Sequence, residues 1–176
     1  MPLAWRHPQR RVTLRRVHSV AIRDACDDDG PALIALIDAV FREYPNCILD
    51  VDGEAPELRT IATTFEAAGG HFWIAELSGR VVGCVGFTPA HAAGGIELRK
   101  LYVAKDARRI GLGNRLCGLI ESEARRRTAA FVELWSDTRF LDAHRLYEKR
   151  GYTRGPHTRT LHDISASVEY FYRKDL

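Results

Sequence analysis

The chain has 176 residues and a mass of 19.8 kDa, enough for one compact domain and short of two comfortable ones. Apolar types make up 45% and charged types 28%, ordinary globular chemistry that argues against wholesale disorder. The formal net charge of +3 is too small, taken alone, to indicate a nucleic-acid partner, and no apolar run approaches the length of a membrane span.

Residues 1–18 differ from the rest: Arg6, Arg10, Arg11, Arg15 and Arg16 occur there without an acidic residue. Such a start suits an organelle-targeting peptide or a nucleic-acid arm, and more plainly a flexible extension ahead of a domain spanning 19–176. No apolar stretch follows the charges, so a secretory signal is not expected. The cysteines Cys26, Cys47, Cys84 and Cys117 are scattered, without a CxxC pair or zinc-finger spacing, so no metal site and no disulfide are expected. A reducing cytoplasm is the default setting.

Residues 19–25 read as a first strand. Asp29-Gly30-Pro31 starts a helix, because proline suits the first helical position, and Leu33, Ile37, Val40, Phe41 and Tyr44 recur at helical spacing until Pro45. Pro56 opens a second helix with Leu58, Ile61, Ala62 and Phe65, closed by Gly69-Gly70. Phe72 to Leu77 and Val81–Phe87 alternate as strands around a tight Ser78-Gly79 turn, and Ile96–Val103 forms a third extended run.

Glycines then introduce an amphipathic helix with Leu112, Leu116, Leu119, Ile120 and Ala124 on one stripe. Arg115, Glu121, Arg125 and Arg126 form its expected solvated face. Phe131–Trp135 is a short strand, Asp137 or Thr138 is placed to cap a further helix, and Gly151 ends it. Tyr152–Arg154 and Ser167–Arg173 close the chain as strands. The order β-α-α-β-β-β-α-β-α-β-β predicts an α/β (α+β mixed) fold: a mostly antiparallel mixed sheet of six to seven strands flanked by about four helices.

The segment that carries chemistry is Glu97-Leu-Arg-Lys-Leu-Tyr-Val103, a short loop, then Arg108-Arg109-Ile110-Gly111-Leu112-Gly113-Asn114. A glycine-rich turn from strand to helix offers backbone N–H groups and the positive end of a helix dipole to a phosphate. The Walker A pattern fails, since Gly113 is followed by Asn114-Arg115. A dinucleotide fingerprint lacks its third glycine at Leu116 and sits late in the chain, although Glu133 stands at a tolerable distance for a ribose carboxylate. A purely structural turn is a further alternative.

Arg-x-x-Gly-x-Gly after a Leu-Tyr-Val strand resembles the acetyl-CoA signature of the GNAT superfamily of N-acetyltransferases. Ala143-His-Arg-Leu-Tyr147-Glu-Lys-Arg-Gly151-Tyr152 is similar to that superfamily's Ala-x-x-Leu-Tyr-x-x-x-Gly-Phe/Tyr segment. The resemblance covers residues 19–176 and implies an acyl-CoA N-acyltransferase fold with acetyl-CoA as co-substrate and no metal. It implies that Leu101, Tyr102 and Val103 line the pantetheine arm. Arg108, Arg109, Ile110, Gly111, Leu112, Gly113 and Asn114 would hold the pyrophosphate. Phe140 stands where the superfamily often has an asparagine, which puts one pantetheine contact in doubt.

Acetyl transfer to an amine needs a neutral nucleophile, a stabilised oxyanion and a proton for the departing thiolate. By the resemblance, Glu97 is the candidate base, with an ordinary strand carboxylate paired to Arg99 or Lys100 as the alternative. Tyr147 is the candidate general acid, with a core tyrosine as the alternative, and His144 reads as a packing or hydrogen-bonding residue. Main-chain N–H groups near Leu101–Val103 would meet the oxyanion. Cys117 is expected to face the core, so no covalent acyl-enzyme is implied.

The loop between the first two helices carries Glu43, Asp50, Asp52, Glu54 and Glu57, which suit either a cationic amine or plain solvation. His157, Arg159 and His162 suit an acidic acceptor instead. The expected acceptor is a small-molecule or peptide amine, with a small molecule favoured over a protein; homodimers are common among the relatives. The reading from a different class is a non-catalytic CoA sensor or nucleic-acid-associated module.

Overall fold

A computed structural model describes residues 19–176; the basic segment 1–18 lies outside the described residues. Seven strands form one sheet in the order β1-β2-β3-β4-β5-β7-β6. They are β1 (Ala21–Asp24), β2 (His71–Leu77), β3 (Arg80–Pro89), β4 (Gly95–Val103), β5 (Phe131–Asp137), β6 (Thr153–Thr160) and β7 (Val168–Asp175). The helices are α1 (Gly30–Phe41), α2 (Ile61–Ala67) after a 3-10 stretch at Pro56–Thr60, α3 (Leu112–Arg126) and α4 (Leu141–Lys149). This is the expected mixed sheet, antiparallel except between β4 and β5.

Local chemistry accounts for most boundaries. Ser78 and Gly79 both take positive φ, 54° and 78°, as the two-residue hairpin between β2 and β3 requires. Gly151 at φ 85° ends α4. Leu112, Leu116, Ile120 and Ala124 of α3 bury themselves against Val82, Val85, Leu98, Val132 and Leu134 of the sheet. Each large aliphatic side chain so removed from water contributes about 1.5–3 kcal/mol. On the opposite face, Leu33, Ile37 and Val40 of α1 and Phe65 of α2 cover Phe72, Ile74 and Cys84.

Three expectations need correction. Glu121 is buried rather than solvated: Arg150 Nε donates to it at 2.9 Å and Lys174 Nζ lies 3.0 Å away. It falls four residues after buried Cys117, so it shares that edge of the stripe, and its two cations come from remote segments. Neither Asp137 nor Thr138 caps α4. Phe140 is the N-cap, without a side-chain cap bond, and Asp137 ends β5 with its carboxylate on Arg139. The strand expected at Tyr152–Arg154 continues as β6 to Thr160, its residues held by the register with β7.

Candidate active site

The parallel ladder between β4 and β5 has only three rungs, Gly95↔Phe131, Ile96↔Val132 and Glu97↔Glu133. Beyond Glu97 the two strands part, so the β5-facing backbone of Leu98–Val103 has no ladder partner. On its other edge β4 stays paired with β3, but Val85 stands against two residues, Lys100 and Leu101. That bulge holds Lys100 at φ 53°, sparsely populated for a non-glycine residue, and the Cys84 thiol donates to the Lys100 carbonyl at 3.2 Å.

At the far end of β4 the chain turns into α3. Gly111 is the N-cap in the left-handed region, φ 81°, and Arg109 before it has φ 64°. Among the described residues no side-chain cap bond is made at the start of α3, which leaves its first-turn N–H groups at the dipole's positive end without that partner. A Cβ on Gly111 would meet no heavy atom within 4 Å, and the neighbouring Ile110 is exposed. The turn is therefore open on that side. Gly113 has a different duty: a Cβ there would come 3.1 Å from Leu146 Cδ2, so its lack of a side chain lets α3 lie against α4.

Arg108 bends back from that turn. Its guanidinium donates to both carboxylate oxygens of Glu43 at 2.6 and 2.9 Å, and its Nε donates to the Val103 carbonyl at 3.0 Å. Asn114 is held from α4, where Arg150 Nη1 donates to its carbonyl at 3.1 Å and its Oδ1 at 3.2 Å. Leu101 and Val103 face the α3 side as half-buried neighbours of the core, whereas Tyr102 faces α1.

Tyr147 projects from α4 into the core, 4% exposed, with ring centroids 5.9 Å from Tyr152 and 5.7 Å from Tyr172. Burial holds its phenol protonated well above the usual tyrosine range. Burial lowers the pKa of His144, one turn earlier, which donates through Nε2 to the Asp137 carbonyl at 3.0 Å. Phe140 packs on α1, its ring centroid 4.8 Å from Tyr44 and 6.0 Å from Phe41.

Glu97 shares its last rung with Glu133 and lies 3.8 Å from Arg99; Lys100 pairs with Glu57 instead, at 2.7 Å. Burial, with the Glu97 charge beside it, raises the Glu133 carboxyl above its ordinary value. Glu133 belongs to the sheet face opposite α3, since its neighbours Val132 and Leu134 pack with that helix. It therefore has no path to a ribose at the α3 cradle, and the dinucleotide reading loses its carboxylate.

On the α1 face, a cavity of about 200 Å³ opens beside the bulge, and sequence reasoning did not find it. Lys100, Tyr102, Phe140 and Glu169 reach it from the sheet and α4; Phe41, Leu49 and Leu58 line it from α1 and the following segment. Its roof joins two distant loops. The Ile48 N–H donates to Ser165 Oγ at 2.9 Å, Ser165 donates back to the Ile48 carbonyl at 3.1 Å, and the Ile164 N–H donates to Glu54 at 2.6 Å. Arg139 locks this roof by donating to Asp137, Ser167 Oγ and the Asn46 carbonyl.

The acidic interhelical loop is thus largely occupied with the protein itself: Glu43 on Arg108, Asp50 on the Gly53 N–H, Asp52 on Arg59, Glu54 on Ile164 and Glu57 on Lys100. Arg159 is likewise engaged, on Glu169 and over the Trp135 ring.

Residues 33–152 match the Acetyltransferase (GNAT) family, and the chain belongs to it. Over 84 residues it is 36% identical to "Probable N-acetyltransferase camello" of Xenopus tropicalis, a match spanning 47% of this chain and 38% of that one. An acetyltransferase of the GNAT family from Staphylococcus aureus Mu50 superposes with a TM-score of 0.77 at 21% identity, covering 90% of this chain and 99% of the other. Structure yncA from Salmonella typhimurium, solved with its cofactor acetyl-CoA, gives 0.68 at 18%, covering 89% and 94%. These two likenesses are of fold. No helix among the described residues is long and apolar enough to cross a membrane.

Proposed function

We propose that the protein moves the acetyl group of acetyl-CoA to the nitrogen of a small primary amine by direct attack. One observation carries this reading: β4 parts from β5 along the half-strand Leu98–Val103, and the loop that leaves this half-strand leads to the open N-terminus of α3 at Gly111. An extended amide-bearing arm fits the first and a diphosphate fits the second. Bound there, acetyl-CoA supplies an activated acetyl thioester; the same ligand is present in the related Salmonella structure.

The residues Arg109, Ile110, Gly111, Leu112, Gly113 and Asn114 hold the diphosphate through backbone N–H groups, and the free edge of Leu101, Tyr102 and Val103 holds the arm. Arg108 adds charge once it leaves Glu43. The N–H groups fixed by the bulge at Lys100–Leu101 receive the developing oxyanion with little reorganisation. Glu97, on the bulge's own strand but outside the cavity lining, removes the ammonium proton through water. Tyr147 keeps its proton at neutral pH and delivers it to the thiolate.

Cysteine chemistry is disfavoured. Burial pushes the Cys84 and Cys117 thiols up to about 12, and Cys47, which lines the cavity, up to about 11. None supplies a thiolate for a covalent intermediate near neutral pH. We place the reaction in the cytoplasm, where such free thiols persist.

Release of free thiol from acetyl-CoA, followed across an amine panel with wild type and Tyr147→Phe, tests the reading. Turnover with at least one amine, cut by the substitution, is the expected result. Tight CoA binding without turnover on any amine would overturn it in favour of a CoA sensor.

A further inference from the structure

We infer that the acceptor is a small primary monoamine carried on an apolar body, an alkylamine or arylalkylamine, and that the roofed cavity beside the Lys100 bulge is its seat. The inference rests on the acetyl-transfer reading and narrows its acceptor.

Size comes first. The cavity is about 200 Å³, below the usual range for drug-sized ligands, and its roof is stitched at Ile48–Ser165 and Glu54–Ile164. An extended peptide or a protein surface would have to break these bonds to bring its amine to the bulge.

Wall chemistry is next. Phe41, Leu49, Leu58, Tyr102, Phe140 and Leu161 offer carbon and ring faces, which favour a hydrocarbon body. Lys100 is the one basic residue of the lining, and Glu57 already holds it at 2.7 Å. A carboxylate or phosphate on the acceptor would therefore enter without a free cation to receive it.

The lining also excludes the opposite extreme. Asp137 is bound to Arg139, Glu169 to Arg159, Glu54 to the Ile164 N–H and Asp163 to the Ser167 N–H. Glu54 and Asp163 accept only uncharged N–H groups and keep their charge, which favours an incoming ammonium, whereas the apolar walls offer no partner to the further charges along a polyamine. The same apolar walls disfavour the ammonium form of a seated amine and so help expose its lone pair.

The experiment compares kcat/KM, at saturating acetyl-CoA, for hexylamine, phenethylamine, spermidine, lysine and a short peptide with a free N-terminus. It repeats the series with Leu161→Trp, which fills one wall from the β6–β7 connection. The two apolar monoamines are expected to lead by about tenfold or more. Leu161→Trp is expected to raise their KM about tenfold while the KM for acetyl-CoA stays within about twofold. A lead by spermidine, lysine or the peptide overturns the inference and leaves acetyl transfer standing. Absence of thiol release with every amine removes both. If Leu161→Trp fails to fold, the wild-type ranking decides alone.

Discussion

Arg108 and Glu43 share a two-bond ion pair, 2.6 and 2.9 Å, that fastens the loop before α3 to the segment just after α1. The turn before α3 and the segment that follows α1 are therefore mechanically joined through one guanidinium. Glu43→Gln should release that guanidinium toward a diphosphate. The expected change is acetyl-CoA binding tighter by about two- to fivefold in calorimetry, with under about 1 kcal/mol lost from stability, since the pair is part-exposed. Weaker binding would mean that Glu43 positions Arg108 rather than competing for it.

Tyr147→Phe removes one hydroxyl from a residue buried in the core and leaves its ring contacts in place. The thermal midpoint should change little and CoA affinity should hold, while kcat falls about 10²-fold or more. A kcat within about threefold of wild type would leave Tyr147 a packing residue.

Gly111→Ala adds a methyl where there is room but where φ is 81°. The cost is conformational, about 1–2 kcal/mol in urea unfolding, and it falls on the turn that presents the α3 N–H groups. Acetyl-CoA affinity should drop with it. Equal stability in the two proteins would show that the left-handed cap is not required.

Glu121→Gln removes the negative centre shared by Arg150 and Lys174. Because both cations keep some solvent contact, the expected loss is about 2–3 kcal/mol, less than for a fully enclosed pair. Asn114 is held by the same Arg150, so acetyl-CoA should also bind more weakly, a change that a distant destabilising substitution would not produce.

Acid stability has a specific contributor in Glu123, whose carboxyl is lowered from 4.5 to about 2 by hydrogen bonding to Arg126 and then Arg127. A depressed carboxyl stabilises the fold fully above about pH 4.5 and ceases to do so as pH falls toward 2. Glu123→Gln should cost at most about 1 kcal/mol at neutral pH, given the exposed Arg126 partner, and should flatten the pH 4.5-to-2 limb of an unfolding series.

Much of the fold was legible because its signals are local. Ser78-Gly79, Gly151 and the α3 stripe each act within a few residues, and the element order followed from them. Asp137 misled because an acidic residue at a strand end looks like a helix cap until its partner is known; here Arg139 claims it. The glycine turn could be read from its own residues, and the Tyr147 segment drew notice through its resemblance to the GNAT pattern. The cavity could not, because its walls come from α1, the following loop, β4, α4 and β7, and its roof depends on Ser165 meeting Ile48 across more than a hundred residues. Nor does spacing reveal that Arg108 is engaged by Glu43.

The short helix α4 sets a ruler for the whole centre. Phe140 at its cap meets α1, Tyr147 two turns on enters the core, and Arg150 at its end grips Asn114. At 1.5 Å and 100° per residue, inserting a single residue between Phe140 and Arg150 would swing one of the three out of place. Changes in acceptor preference should therefore accumulate in the loops at 42–55 and 161–167, where length is free to vary, and leave the count of residues in α4 untouched.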